Sequence, residues 1–112
     1  METLANYHKA VLAALTPSST GGYLHKEVQE KLIVDEERGQ YLVMRTGWHN
    51  GKNYYGVIQH VEIMNGQVWI HTNNTEHYLE EELVLEGVAR EDIIWASISP
   101  EDRAEFSSRS DL

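Results

Sequence analysis

The chain has 112 residues, a formal net charge of −9 at pH 7 and no cysteine. That length, with 41% hydrophobic residues, predicts one folded domain over residues 1–112, and the absence of cysteine excludes disulfides and thiolate metal sites and is typical of the cytoplasm. Even with all six histidines protonated the charge stays negative (−9 + 6 = −3), which disfavours direct nucleic-acid binding by this chain alone. No signal peptide and no apolar run of roughly 20 residues is present, so we expect no membrane association.

The first predicted element is an amphipathic helix over residues 3–15. Its apolar side chains recur at helical spacing, namely Leu4, Tyr7, Val11, Leu12 and Leu15. Pro17 and the serine, threonine and glycine residues that follow it are typical of a helix end and a loop. We therefore expect the helix to end before Pro17.

The middle of the chain predicts a four-stranded antiparallel meander. Strands are expected at residues 28–35, 41–48, 54–64 and 68–72. The dipeptides Asn50-Gly51 and Asn65-Gly66 are strong signals for two-residue hairpins, because a type I′ turn requires positive φ at both positions. The residues between the first two strands, 36–39, predict a turn that ends in Gly39.

The hairpin turns also predict which side chains share a face of the sheet. The second hairpin pairs Glu62 with Trp69 and His60 with His71, and the first pairs His60 with Tyr41. One face is then expected to pack against the helices with an apolar set, namely Leu42, Met44, Tyr55, Val57, Val61, Ile63, Val68 and Ile70. The other is expected to carry an aromatic and polar set, namely Tyr41, Arg45, Tyr54, His60, Glu62, Trp69 and His71.

The last third of the chain predicts further helices. Thr75 is the expected N-cap of a second helix, in which Leu79 and Leu83 point inward and Gly87 follows the C-terminus. Residues 93–98 are consistent with a short buried strand or with a loop, residues 99–102 predict a helix start, and the tail from residue 107 is expected to fray. The predicted fold class is α+β: an N-terminal helix, a four-stranded antiparallel meander, and C-terminal helices packed on one sheet face.

Side chains in this predicted sheet could form a metal site or an acid–base site. If His60 and His71 lie opposite each other, their imidazoles could share a metal ion beside Glu62, or act with Glu62 and Tyr41 in acid–base chemistry. The alternative is a set of ordinary half-exposed strand residues, and no HExxH, GxSxG, Walker A or GxGxxG motif is present. We therefore expect a non-enzymatic protein without a cofactor, with His60 and His71 as the only, weak, metal-ligand candidates.

The aromatic and polar face is the predicted partner-binding surface. Tyrosine, tryptophan and arginine are enriched at interface hot spots, and this face carries Tyr41, Arg45, Tyr54 and Trp69. The alternative is that another helix of the same chain covers it. The pattern is compatible with a homo-oligomer and with a complex with another protein, and a third hypothesis is DNA binding by an oligomer that brings together Arg38, Arg45 and Lys52.

The acidic run at residues 80–82 belongs to the predicted second helix. Such a run most often forms a solvated helix face, although it is also compatible with a docking surface for a basic partner.

An ordered series of short segments resembles a known family. The segments are Gly47-Trp48, Tyr55-Gly56, His60-Val61-Glu62-Ile63, Gly66-Gln67-Val68-Trp69-Ile70-His71, Thr75-Glu76, Leu83-Val84, Gly87-Val88 and Asp92-Ile93-Ile94. By these residues the chain resembles the XisI family, the fdxN-element excision controlling factors of cyanobacteria, from about Leu4 to Arg103. The departures are modest, with Ala89 where the family often has proline.

The resemblance implies a role in a DNA rearrangement. In that system a site-specific recombinase removes a DNA element, and XisI-type and XisH-type proteins are accessory factors. The resemblance therefore implies protein contacts with the recombinase or with an XisH-type partner, and it transfers no catalytic residue.

Overall fold

The computed structural model describes residues 2–21, 28–75 and 77–102, with the side chains of residues 6–15 in the first helix. The helices are α1 (Glu2–Gly21) and α2 (Leu79–Leu85), with a 3-10 turn at Arg90–Asp92. The strands are β1 (Val28–Asp35), β2 (Gln40–His49), β3 (Lys52–Met64), β4 (Gln67–Asn73) and β5 (Ile93–Trp95). The expected frayed tail lies outside the described residues. Within the described part of the chain, no helix is long and apolar enough to cross a membrane.

The sheet confirms the predicted meander and adds a strand to it. Strands β1 to β4 are adjacent and antiparallel, and β5 pairs in parallel with β4, so the sheet is mixed and five-stranded. The prediction of four strands was wrong, because the sequence of residues 93–98 was compatible both with a short strand and with a loop. Helix α2 and the 3-10 turn return the chain to the β4 edge, where Ile93 pairs with Val68 and is buried.

Both Asn-Gly turns have the predicted geometry. The φ angles of Asn50 and Gly51 are 53° and 76°, and those of Asn65 and Gly66 are 55° and 75°. Positive φ at both positions is the signature of type I′ turns, whose twist matches that of the strands they join. These two turns explain why β2, β3 and β4 form where they were expected.

Helix α1 is longer than predicted. It continues through Pro17 to Gly21, so the expectation that it would end before Pro17 was wrong. A proline removes one backbone hydrogen bond, but its fixed φ is compatible with helical geometry, and one missing bond did not end this helix. The predicted inward side chains Tyr7, Val11 and Leu15 are buried against the sheet.

Helix α2 packs on the same sheet face, with Leu79 and Leu83 buried as predicted. Its C-terminus is a Schellman motif, in which Val88 N–H bonds the Leu83 carbonyl and Gly87 N–H bonds the Val84 carbonyl. The predicted N-cap was wrong: the helix begins at Leu79, and the Thr75 hydroxyl instead accepts a hydrogen bond from the His77 N–H.

Residues 100–102 are helical, where the third helix was predicted to begin, and the residues after 102 lie outside the described part of the chain. The Ser99 hydroxyl accepts a 3.2 Å hydrogen bond from the Asp102 N–H, as an N-cap does.

Two β-bulges change the predicted assignment of side chains to faces. The β2–β3 register shifts between Val43 and Met44, and the β3–β4 register shifts between His60 and Val61. Tyr41 therefore pairs with Val61 and not with His60. Because a one-residue shift exchanges the two faces of a strand, the predicted faces of β2 were inverted.

The helix-side face consequently differs from the predicted apolar set. Tyr41 and Val43 are buried beneath α1 together with Val61, Val68 and Ile70. Leu42 and Met44 point to the opposite face, as do Tyr55 and Val57, which are 74% and 37% exposed.

Candidate functional site

The face of the sheet away from α1 and α2, here called the outer face, carries the candidate functional residues. One part of it is an apolar stripe across β1, β2 and β3. The stripe consists of Ile33, Leu42, Met44, Trp48, Tyr55 and Val57. Trp48 and Tyr55 are 62% and 74% exposed, so no described part of the chain covers the stripe at these residues.

The other part of the outer face is a polar cluster on β2, β3 and β4, formed by Gln40, His60, Glu62 and His71. The rings of His60 and His71 are 4.6 Å apart between centroids and tilted by 32°. Nε2 of His71 lies 2.8 Å from Glu62 Oε1, and Nε2 of His60 lies 2.8 Å from Gln40 Oε1. Each imidazole thus has its own acceptor, and the two rings are held against each other.

The expected neighbours of this cluster are confirmed with one change of register. Glu62 pairs with Trp69, as predicted. His60 pairs with Thr72 and not with His71, because the β4 bulge inserts one residue at this point. The side chains of the two histidines nevertheless remain adjacent.

The cluster favours neutral His60 and ionised Glu62. Partial burial, with the neighbouring His71, lowers the pKa of His60 below its ordinary value. The hydrogen bond from His71 lowers the pKa of Glu62 below its ordinary value. The cluster therefore holds a negative carboxylate beside imidazole N–H donors, a suitable surface for polar contacts with a partner.

The metal alternative gains no support from this geometry. The residues that the structure describes contain no group of three or more side chains placed to hold a metal ion. The Nε2 atoms of His60 and His71 are already engaged by Gln40 and Glu62. Metal binding by this pair stays a hypothesis, which elemental analysis of the purified protein would test.

Three predicted partner-binding residues lie on the helix side of the sheet. Tyr41 is 1% exposed and its hydroxyl lies 2.6 Å from His8 Nδ1, so it is a core residue. Arg45 forms a 2.9 Å ion pair with Glu30, whose side chain is 3% exposed. Tyr54 lies on the same face of the sheet as Arg45, the helix side. The Lys52 ammonium lies 5.0 Å from the centroid of the Tyr54 ring. Tyr41 also cannot join Glu62 and His60 in acid–base chemistry, because it pairs with Val61 and points to the opposite face of the sheet.

Sequence reasoning missed the apolar stripe as a surface feature, because it assigned four of its six residues to the core. A signal was available in the uninterrupted run Tyr41-Leu42-Val43-Met44. A strand with one solvated face alternates apolar and polar residues, whereas a continuous apolar run is typical of a strand with both faces covered. That run therefore predicts apolar side chains on both faces of β2.

A cleft of about 470 Å³ lies where α1 meets the β1–β2 turn and the end of β3. His8 and Tyr41 line it, and Nε2 of His8 is 3.7 Å from Glu36 Oε2. Burial, with the nearby Glu36, raises the pKa of Tyr41 above its ordinary value, so its hydroxyl stays protonated. The sequence did not indicate this cleft, because His8 lies 33 positions from Tyr41 in the chain.

The predicted charged surfaces are largely paired within the chain. Arg90 bridges Glu80 and Glu81 at 2.6 and 3.0 Å, and the Trp95 Nε1–H donates to Glu80 at 2.6 Å. Arg38 is likewise paired with Asp35 at 3.0 Å. The acidic run therefore stabilises the α2–β5 corner, and the arginines of the DNA-binding hypothesis are engaged by carboxylates.

Comparison with known proteins identifies relatives of the whole domain. The chain is 34% identical to a XisI-like protein from Anabaena variabilis ATCC 29413, with a TM-score of 0.81 over 88% of this chain and 90% of that chain. It is 28% identical to the fdxN element excision controlling factor XisI from the same organism, with a TM-score of 0.74 over 90% and 98% of the two chains. No curated protein matches the chain.

The match to the family covers nearly the complete chain. A sequence model of the XisI protein family aligns with residues 1–108. The fold of both Anabaena structures superimposes on the helix and sheet described above, so sequence and structure agree. This chain is a member of the XisI family.

Proposed function

We propose that this protein is a non-enzymatic accessory factor that controls the excision of a DNA element through contacts with other proteins. The observation that carries the proposal is the similarity to the fdxN element excision controlling factor XisI, which extends over 90% of this chain and 98% of that protein. The similarity covers the whole architecture and not one motif, which supports a shared role. The proposed partners are the site-specific recombinase and an XisH-type protein.

The charge of the chain supports protein contacts over direct contacts with DNA. With a net charge of −9, the protein is repelled by phosphate backbones. Arg38 and Arg45 are each paired with a carboxylate, which removes two of the cations that phosphates would need. An acidic accessory that contacts the recombinase or the XisH-type protein, and not the DNA, satisfies both constraints.

The proposed contact surface for that partner is the β4 side of the outer face. It includes His60, Glu62, Trp69 and His71, the four predicted partner-binding residues that the fold brings together. Their side chains are half-buried, and 2.8 Å hydrogen bonds hold His71 against Glu62 and His60 against Gln40. Such preorganised polar groups lose little conformational entropy on binding, and tryptophan is the residue type most enriched in interface hot spots.

The decisive experiment is co-expression of this chain with the XisH-type protein, and separately with the recombinase, from the same genome. Size-exclusion chromatography with light scattering should show a joint peak whose mass reports the stoichiometry. Trp69→Ala and His71→Ala should weaken the complex by roughly tenfold or more, as substitutions at interface hot spots do. Tyr78→Ala is the control, because Tyr78 is 79% exposed and lies away from the outer face, before α2.

Two results would contradict the proposal. The absence of a joint peak with either partner would remove the accessory role by direct contact. A joint peak that Trp69→Ala and His71→Ala leave unchanged would retain the role and reject the assigned surface.

A further inference from the structure

The apolar stripe requires an explanation beyond the proposed partner contacts. It lies on β1, β2 and β3, whereas the residues proposed to contact the partner are centred on β3 and β4. Ile33 pairs with Leu42 across β1 and β2, and Met44 pairs with Val57 across β2 and β3, so apolar side chains lie on three adjacent strands. A contiguous apolar surface of this kind on a folded domain marks an interaction site.

The stripe is almost free of charge in a strongly acidic protein. The outward positions of β1 to β3 within residues 29–33, 42–48 and 53–57 contain a single charged side chain, Lys31, and no acid. The chain as a whole has 18 acidic residues. Acidic side chains in the described residues concentrate elsewhere, at the β1–β2 turn and on α2.

This charge distribution indicates which molecule covers the apolar stripe. A basic protein would be attracted to the acidic surfaces, and the stripe provides no carboxylate for it to recognise. Two copies of a chain with a charge of −9 repel each other wherever their acidic surfaces meet, so a self-contact is favourable only on a surface without acids. The stripe meets that condition.

We propose that a second copy of this chain covers the apolar stripe, so that the outer faces of two sheets pack against each other in a twofold dimer. The geometry follows the usual packing of two sheets at about 10 Å, with interdigitating side chains. A twofold axis places the same patch on both sides, which a self-complementary apolar stripe allows. Contact through β1–β3 leaves the β4 side of each outer face available, so the dimer does not compete with the proposed partner surface.

The first test is the mass of the purified full-length chain without any partner. Light scattering should give twice the 12.9 kDa of one chain at a concentration of about 100 μM, a level at which a specific interface of ordinary size is occupied. A monomer at that concentration would overturn the proposal. Because no partner is present, this result is independent of the proposed accessory function.

The second test locates the interface with matched tyrosines. Tyr55→Glu places a charge in the stripe and should raise the dimer dissociation constant by roughly 30-fold or more. Tyr78→Glu is the control, since Tyr78 is 79% exposed against 74% for Tyr55 and lies away from the outer face. Both positions are exposed, so neither variant should unfold the protein, and circular dichroism would verify this. A dimer that Tyr55→Glu leaves intact would overturn the proposal, even if the protein is dimeric.

The absence of cysteine permits a direct third test. Single variants Thr46→Cys, Tyr55→Cys and Val57→Cys place one thiol in or beside the stripe, and Leu85→Cys places one on α2, where Leu85 is 84% exposed. A short bifunctional thiol cross-linker should join two chains through at least one of the stripe positions and not through Leu85→Cys. Cross-linking at Leu85→Cys alone would place the dimer contact on α2 and contradict the proposal.

Discussion

The helix-side face and the outer face of the sheet are formed by alternating residues of the same strands, and their apolar side chains differ in burial. On the helix side, Val43, Val61 and Ile70 have no exposed surface. On the outer face, Tyr55 and Trp48 are mostly exposed. Since apolar burial stabilises a fold by about 25 cal/mol per Å², residues of similar hydrophobicity contribute to folding on one face and remain available for association on the other.

The sharpest way to break that comparison is to truncate one tyrosine on each face. Tyr41→Ala should lower the free energy of unfolding by about 3–5 kcal/mol, because Tyr41 is 1% exposed and its removal leaves a cavity. Tyr55→Ala should cost less than about 1 kcal/mol, because Tyr55 is 74% exposed. Urea unfolding at a protein concentration too low for association would measure both. Equal losses would show that the two faces are not distinct in stability.

A second prediction extends the comparison to two turns, one packed against the sheet and one open. In Gly39→Ala the new Cβ would clash with the Ile63 carbonyl oxygen, and Gly39 has a φ of +69°. We expect a loss of about 3 kcal/mol. Gly51→Ala is the control, because its φ is +76° but nothing lies within 4 Å, and only the backbone cost of about 1 kcal/mol is expected. Thermal melts of both variants would show whether the packed turn is the more sensitive one.

A third prediction compares a buried ion pair with an exposed one. Arg45→Ala would leave Glu30, 3% exposed, without its cation on the helix side, at a cost of about 2 kcal/mol. Arg38→Ala removes a pair in which the arginine is 74% exposed, and should cost less than about 1 kcal/mol. Denaturant midpoints of the two variants would measure both losses. A larger loss of stability in Arg38→Ala than in Arg45→Ala would contradict this prediction.

The smallest expected effect is the pH dependence of the outer face. The pKa of His60 is lower in the folded protein than in the unfolded chain, mainly because of burial, so the unfolded chain binds more protons. Its contribution to stability is complete above about pH 6.5 and is lost as the pH falls through the lower folded pKa. The loss should stay under about 1 kcal/mol because the residue is partly exposed.

Glu62 adds a second, more acidic step with the same sign. The hydrogen bond from His71 lowers the pKa of Glu62, so its contribution is present above its ordinary pKa and is lost below it. Unfolding midpoints of the wild type and of His60→Gln would separate the two steps, because the Glu62 step lies below the ordinary pKa of a glutamate and only the His60 step falls between about pH 5 and 8. A His60→Gln variant with an unchanged slope in that range would assign the titration to another group.

Much of the fold could be predicted because its signals are local. The strand over residues 28–35, both type I′ turns, the inward side chains Leu79 and Leu83, and the positive φ of Gly87 each depend on a few neighbouring residues. Turn geometry and helix termination depend on steric limits of single residues, which are visible in the sequence. The candidate site was recovered in part for the same reason, since the Asn65-Gly66 turn alone places Glu62 beside Trp69.

Other features required the three-dimensional arrangement. Helix α1 passes Pro17, β5 joins the edge of the sheet, and the bulge between β2 and β3 moves Tyr41 to the core and Leu42 and Met44 to the outer face. The His8–Tyr41 hydrogen bond joins residues 33 positions apart. None of these features can be predicted from a few neighbouring residues.

The sequence by itself determined the α+β class and the meander with its hairpin turns, because periodicity and turn residues act locally, and an ordered series of short segments gave the resemblance to the XisI family. Only the tertiary structure decided which side chains face the helices and which face outward. The physical reason is that strand side chains alternate with a period of two, so each bulge exchanges the faces beyond it, and a bulge forms where packing of the whole sheet favours it. The apolar stripe and the His60–His71 contact are consequences of that choice.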